Sequence, residues 1–253
     1  MSPIVDVVFV KTFVKNNLVL SISSITLVIF FAGYFVGVEV GQDTFQEQEL
    51  EYLKKLDTLN TSKTNRSFQI LKANDPMLGD IDAPLSIIEF SNFQCNFCAR
   101  FYTDTLPLLK TQYIDTGKVN LIYRDFPISK IYSNSMSAAL AAECANEQGK
   151  FWEYHDMLLE NQDIWKQNEA DLVISTFKQF ATTLNLEQEK FDSCLDSGKY
   201  ANEIKSDIDD GYNYAVTGTP TFFIGNEKIG YSSLFGTQSF SDFQTIIDEK
   251  LIQ

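Results

Sequence analysis

The chain is poor in the residues that several common kinds of site require. One histidine, His155, stands among 253 residues. That argues against histidine-rich metal centres and against a serine-histidine-aspartate triad. Positive charge is scarce as well, with 20 Lys and Arg against 34 Asp and Glu and a net charge of −14. A nucleic-acid binder needs a basic surface against phosphates, so no nucleic-acid partner is expected. Glycine and proline number only 12 and 6, which argues against a disordered or collagen-like main state. The 44% hydrophobic content supplies a core for one or two domains. Four cysteines, Cys95, Cys98, Cys144 and Cys194, are too few for a disulfide-dense miniprotein.

Charge is missing altogether between Asn16 and Val38, a run of 23 residues. A helix of that length rises about 35 Å, enough to cross a bilayer. A buried core helix would carry polar residues at a helical period. A cleaved signal peptide would end in small residues of the A-x-A kind, which are absent after Phe35. Lys11 and Lys15 precede the run; Glu39, Asp43, Glu47 and Glu49 follow it. The basic flank stays in the cytoplasm, so the bulk of the chain is expected outside. The expected organisation is a cytoplasmic N-terminus over 1–15, a transmembrane anchor over 16–40 and a stalk over 41–74. In the stalk Phe45, Leu50, Leu53, Leu56 and Leu59 form a partial helical stripe, and Asn60 and Asn65 each begin an N-x-[ST] sequon.

Residues 75–253 read as the globular part. Strand signals fall at Leu85–Phe90, Val119–Tyr123 and Thr221–Ile224, and residues 131–214 read as a long helical region. Ala99–Tyr113 has helical composition with a kink expected at Pro107, and Ser239–Leu251 closes the chain as a helix. Strands separated by helical blocks imply parallel pairing through crossovers.

The chemistry is expected at Cys95-Asn96-Phe97-Cys98. This C-x-x-C opens a helix just after a strand. Unpaired N–H groups at a helix start stabilise a thiolate on the first cysteine, and the second is spaced to resolve a mixed disulfide. Half of a zinc site is the alternative, but the remaining candidates, Cys144, Cys194 and His155, are isolated. Neither a metal nor a cofactor is expected. Glu89, six residues before Cys95, is either an ordinary strand-edge carboxylate or a buried proton acceptor for Cys98. Thr219-Pro220 precedes the last strand signal; its loop could offer backbone groups to an extended substrate, with Pro220 either cis or an ordinary turn proline. Phe93, Phe97 and Phe101 are either an apolar rim for unfolded substrates or core. His155, Trp152 and Trp165 read as packing residues, and Asp207–Asp210 as a solvated face.

These residues resemble the DsbA-like branch of the thioredoxin superfamily. The likeness covers about Asp75 to Leu251. It rests on Leu78-Gly79-Asp80 with Ala83-Pro84, Glu89-Phe90-Ser91 with Phe93-Gln94-Cys95, Tyr123-Arg124-Asp125-Phe126-Pro127, Ala141-Ala142-Glu143-Cys144, Gly149-Lys150-Phe151-Trp152 and Gly218-Thr219-Pro220-Thr221-Phe222-Phe223. It implies an α/β thioredoxin fold with an inserted helical domain at about 130–214. It further implies Cys95 as nucleophile, Cys98 as resolving cysteine, Pro220 as a cis proline facing them and Glu89 as the buried acid, with Thr219 and Phe97 meeting the substrate. Asn96 and Phe97 stand where many members of the family carry proline and histidine. An imidazolium before Cys98 would help to stabilise the Cys95 thiolate, which Phe97 cannot do; the expected disulfide is accordingly less oxidising.

Related sequences carry cysteines at the places of Cys144 and Cys194, which favours a structural disulfide over two buried thiols. The expected activity is that of a membrane-anchored extracytoplasmic oxidoreductase forming disulfides in cysteine-containing exported proteins, reoxidised by a membrane redox partner. The alternatives are a reductase or isomerase, or a non-catalytic peptide- or metal-binding module.

Overall fold

The computed structural model describes residue 72 and residues 74–253. The expected anchor, the stalk stripe and both sequons lie outside these residues. Among the described residues, no helix is long and apolar enough to cross a membrane.

The strands are β1 (Met77–Leu78), β2 (Leu85–Ser91), β3 (Val119–Asp125), β4 (Thr221–Asn226) and β5 (Gly230–Phe235). They form one sheet in the order β1-β3-β2-β4-β5. Only β2 and β3 pair in parallel; the other three pairings are antiparallel. The expectation of parallel pairing therefore fails at β4. The chain re-enters the sheet beside β2 from the opposite end, after the whole helical block, and a tight turn then forms the β4–β5 hairpin. Two-residue β1 escaped sequence reading because so short a segment carries no alternation.

Helices α1 (Asn96–Asp104) and α2 (Leu106–Leu109), with a π-helical stretch Lys110–Ile114, join β2 to β3. The helix break falls at Thr105, the C-cap of α1, and Pro107 occupies the first turn of α2, where its missing N–H is harmless. Between β3 and β4 come α3 (Ser135–Asn146), α4 (Phe151–Glu160), α5 (Gln162–Trp165), α6 (Ala170–Thr183), α7 (Gln188–Ser197) and α8 (Ala201–Asn213); α9 (Phe240–Leu251) ends the fold. A capping box of Ser239 and Asp242 starts α9.

Both sheet faces are covered, which is why β2 and β3 read as apolar runs rather than alternating ones. On one face Leu85, Ile87, Leu121, Phe222 and Ile224 pack against Phe101 of α1, Leu106 and Leu109 of α2, and Phe243 and Ile247 of α9. On the other, Ile88, Phe90, Ile122 and Phe223 meet Phe126, Val216 and residues of α8. Gly211, inside α8, makes that approach possible: a β-carbon there would lie 2.5 Å from the Phe126 ring. The inserted helices have their own core, in which Tyr154, Trp165, Phe177 and Phe191 are fully buried.

Asp207 and Asp210 depart from the expected solvated face. Arg124 of β3 has a fully buried side chain; its Nη2 lies 2.8 Å from Asp207 and 2.7 Å from Asp210, and its Nε 3.5 Å from Asp75. Lys72 joins the same two α8 carboxylates at 2.7 and 2.8 Å. The acidic run therefore holds α8 to the sheet.

Cys144 of α3 and Cys194 of α7 form a disulfide, with a sequence separation of 50. Closing a loop of that size restricts the unfolded chain. Replacing both cysteines with alanine should lower the unfolding free energy by about 2–4 kcal/mol, read as a lower urea midpoint. An unchanged midpoint would mean that the bridge contributes nothing.

Candidate active site

The segment Asn92–Cys95 turns the chain from β2 into α1. Asn92 accepts the Gln94 N–H on its side-chain oxygen and the Cys95 N–H on its carbonyl, both at 2.9 Å. Cys95 is the N-cap of α1, still extended at φ −79° and ψ 123°, and no oxygen side chain caps the helix. The cysteine sulfur stands where a Ser or Asp oxygen would accept the free amides of the first turn.

Several groups act on that sulfur. The Cys98 thiol donates to it, outweighing the cost of burial; the Thr219 hydroxyl and the backbone amides of Cys98 and Phe97 add to the effect, and the Cys95 thiol is held down to about 5. As a thiol, Cys95 donates to the Thr219 carbonyl at 3.4 Å. The Thr219 hydroxyl oxygen is buried and makes no hydrogen bond of ordinary length. The Thr219–Pro220 peptide bond is cis, and Pro220 opens onto β4. Burial, followed by the interaction with Cys95, pushes the Cys98 thiol well above the ordinary range. One thiol is thus ready to ionise and its neighbour is not.

Glu89 lies on β2, on the same sheet face as Ser91, with Tyr123 as its β3 neighbour and Phe222 as its β4 neighbour. It is 2% exposed. Burial pushes its carboxyl up to about 8; a hydrogen bond from Ser91 works against this, and the charge of Cys95 adds to it. Glu89 also acts on Cys98 electrostatically and adds to the rise of the resolving thiol. The strand-edge alternative does not apply, because β2 is the central strand.

Phe97 is 52% exposed, with the Arg100 guanidinium 5.5 Å from its ring centroid. Phe93 and Phe101 are buried in the core, so Phe97 alone of the three aromatics faces solvent. Cys95 itself is only 2% exposed. His155 is buried among the rings of Phe93, Tyr102, Tyr123, Phe151 and Trp152, and Trp165 is fully buried. Among the described residues, no group of three or more His, Cys, Asp or Glu is arranged to hold a metal ion.

Tyr132 is the neighbour that sequence reading missed. It sits in the loop between β3 and α3, and burial, then the charge of Cys95 and a hydrogen bond to it, push its hydroxyl up to about 12. A lone loop tyrosine 37 residues after the cysteine has no periodic signal to betray it.

Comparisons with known proteins agree with the fold. Residues 72–249 match the family model described as thioredoxin. A Na(+)/H(+) antiporter NhaA 3 of Salinispora tropica is 32% identical over 154 residues, covering 61% of this chain and 22% of the antiporter. The chain thus spans about a fifth of that relative's length. A probable disulfide bond formation protein D of Bacillus cereus is 29% identical over 197 residues, 76% of this chain and 86% of that protein. The crystal structure of Wolbachia pipientis alpha-DsbA1 is similar with a TM-score of 0.63 at 28% identity, over 72% of this chain and 92% of that one. With an α/β sheet, a helical block inserted between β3 and β4, and a C-x-x-C at the start of α1, the chain belongs to the thioredoxin superfamily, in its DsbA-like family of thiol-disulfide oxidoreductases.

Proposed function

We propose that the chain is a protein disulfide oxidoreductase that forms disulfides in cysteine-containing exported proteins. The observation that carries this reading is the Cys95 sulfur at the N-cap of α1, held as a thiolate by Cys98, Thr219 and two backbone amides. A stabilised thiolate makes the reduced pair the lower-energy form, so the disulfide gives up its bond readily.

The cycle begins with the Cys95–Cys98 disulfide. A substrate thiolate attacks the Cys95 sulfur, a substrate–Cys95 bond forms, and Cys98 leaves. Buried Cys98 is poorly suited to carry charge and takes a proton, which the Glu89 carboxyl supplies. A second substrate thiolate then attacks the substrate sulfur of the mixed disulfide, and Cys95 leaves as its stable thiolate. The substrate has lost two electrons, and the reduced pair holds them. In the mixed disulfide Cys95 carries no charge, so one of the influences that raise Glu89 is gone. The carboxyl then ionises more easily and can accept the Cys98 proton when Cys98 attacks back.

Glu89→Gln tests this role. Resolution of mixed disulfides by Cys98 should slow and lose its rise with pH, which in the wild type should fall below about 8, because Glu89 ionises more easily once Cys95 is bonded to substrate. Stability should move the other way. A carboxyl raised above its unfolded value contributes stability below about 4.5 and loses it as pH rises through about 8. Reduced Glu89→Gln should therefore be more stable than wild type at pH 8–9, by on the order of 2–4 kcal/mol. An unaltered pH profile of resolution would remove Glu89 from the mechanism.

The activity itself is tested by mixing the oxidised full-length protein with a reduced, unfolded cysteine-containing protein. One substrate disulfide should appear for each Cys95–Cys98 pair reduced; no transfer would sink the reading. Turnover needs an electron acceptor, and a membrane redox partner fits a chain whose residues 16–38 lack charge. The same run supports a single-pass anchor with the described residues outside the cytoplasm, and the Cys144–Cys194 bridge suits an oxidising compartment. The full-length chain should stay with membranes through alkaline extraction; release without cleavage would refute the anchor.

A further inference from the structure

The turn that carries Cys95 is tied to the inserted helices by side-chain amides that the proposed chemistry does not use. Gln162, the first residue of α5, donates through Nε2 to the Phe93 carbonyl at 2.8 Å and to the Cys95 carbonyl at 3.2 Å. The Cys95 carbonyl also accepts the Ala99 N–H, the first hydrogen bond of α1. Gln162 therefore grips the chain on both sides of Gln94, where it changes from extended to helical. Gln94 reaches back: its Oε1 accepts the Asn134 N–H at 2.8 Å, and its Nε2 donates to the Lys166 carbonyl. Asn134 donates to the Asn168 carbonyl at 3.0 Å, and Lys166 Nζ to Asn96 Oδ1 at 3.3 Å. Trp165 seats this segment in the helical core, with its indole N–H on the Leu158 carbonyl at 2.9 Å and its ring edge-on to Phe177. Gln94, Asn134 and Gln162 are all buried.

We propose that Gln162 and Gln94 are positioning residues through which the helical insertion fixes the Cys95 turn and thereby sets the reactivity of the Cys95 sulfur. The inference rests on the reading of Cys95 as the attacked and leaving sulfur. The physical basis is geometric. The sulfur gains its thiolate character from the Cys98 thiol first, then from the Thr219 loop and the amides at the start of α1, and a cap residue free to swing would weaken all three. Gln162 also pairs the two carbonyl oxygens on either side of Gln94. Gln94 holds the Asn134 backbone, two residues past Tyr132, and so keeps that hydroxyl at Cys95. Neither carboxamide titrates, so their removal should shift the Cys95 titration without adding a new one.

The test is the pH dependence of Cys95 alkylation by iodoacetamide in the reduced full-length protein, with the modified cysteine identified by peptide mass. Gln162→Leu should raise the midpoint by about one pH unit, the effect of roughly one lost hydrogen bond. The equilibrium with glutathione should shift about tenfold toward the Cys95–Cys98 disulfide, about 30 mV. Gln94→Leu should shift both in the same direction. If Gln162→Leu does not fold, Gln162→Met keeps the length of the side chain, removes amide donation without adding a charge and should also raise the midpoint. Folded variants that melt earlier but keep the wild-type midpoint and glutathione equilibrium would overturn the proposal, because the amides would then be merely structural. A wild-type Cys95 titrating near the ordinary 8.5 would instead overturn the underlying reading of the site.

Discussion

Cys98→Ser should leave substrate proteins joined to Cys95 by a disulfide that does not resolve. The helix start gives Cys95 the unpaired amides, and Cys98 lies one turn in, buried under β2. Without the inner thiol, a complex that normally clears within seconds should persist for the minutes to hours of uncatalysed exchange, roughly a hundredfold or more. Non-reducing gels of cells expressing the variant read this directly. Cys95→Ser should trap few or no partners and should abolish transfer, because the Cys98 thiol is held protonated. Equal trapping by both variants would reverse the assigned order of attack.

Arg124→Leu should cost about 3–5 kcal/mol of stability, because it leaves buried carboxylates without their guanidinium. Asp75, Asp207 and Asp210 converge on that side chain from the segment before β1 and from α8. Burial already raises Asp75 to about 6, with Arg124 restraining the rise. Without the cation its folded value climbs further, so the stability tied to it is lost as pH rises through that value. The defect should therefore be smaller at pH 5 than at pH 8. An unfolding free energy from urea titration within about 0.5 kcal/mol of wild type at pH 8 would show that the network is not holding α8 to the sheet.

Local signals made the centre of the site legible. Cys95 and Cys98 announce themselves by spacing, and Glu89 by its place on an apolar strand six residues earlier. What remained hidden depends on contacts distant in sequence. Tyr132 and Gln162 carry residue types common on any surface, and only the docking of the insertion brings them to Cys95; Gln94 adjoins Cys95 in the chain, but its partners Asn134 and Lys166 are 40 and 72 residues away. The misreading of Asp207 has the same cause: an acidic stretch on a helix looks solvated until the buried Arg124 partner, 83 residues earlier, is known. Strands β2, β3 and β4 and most helices followed from apolar runs and period. The antiparallel entry of β4 did not, since the order of elements alone does not fix the end from which a strand joins its sheet.

The reduction potential of the Cys95–Cys98 pair in glutathione buffers tests the central claim most directly. A Cys95 thiol held near 5 lies between the values of about 7 in thioredoxin and 3.5 in DsbA. The two cysteines should accordingly exchange two electrons as a pair, at a potential between about −270 and −120 mV. A pair that forms no internal disulfide, or one more reducing than about −270 mV, would contradict the assignment of a disulfide-forming enzyme.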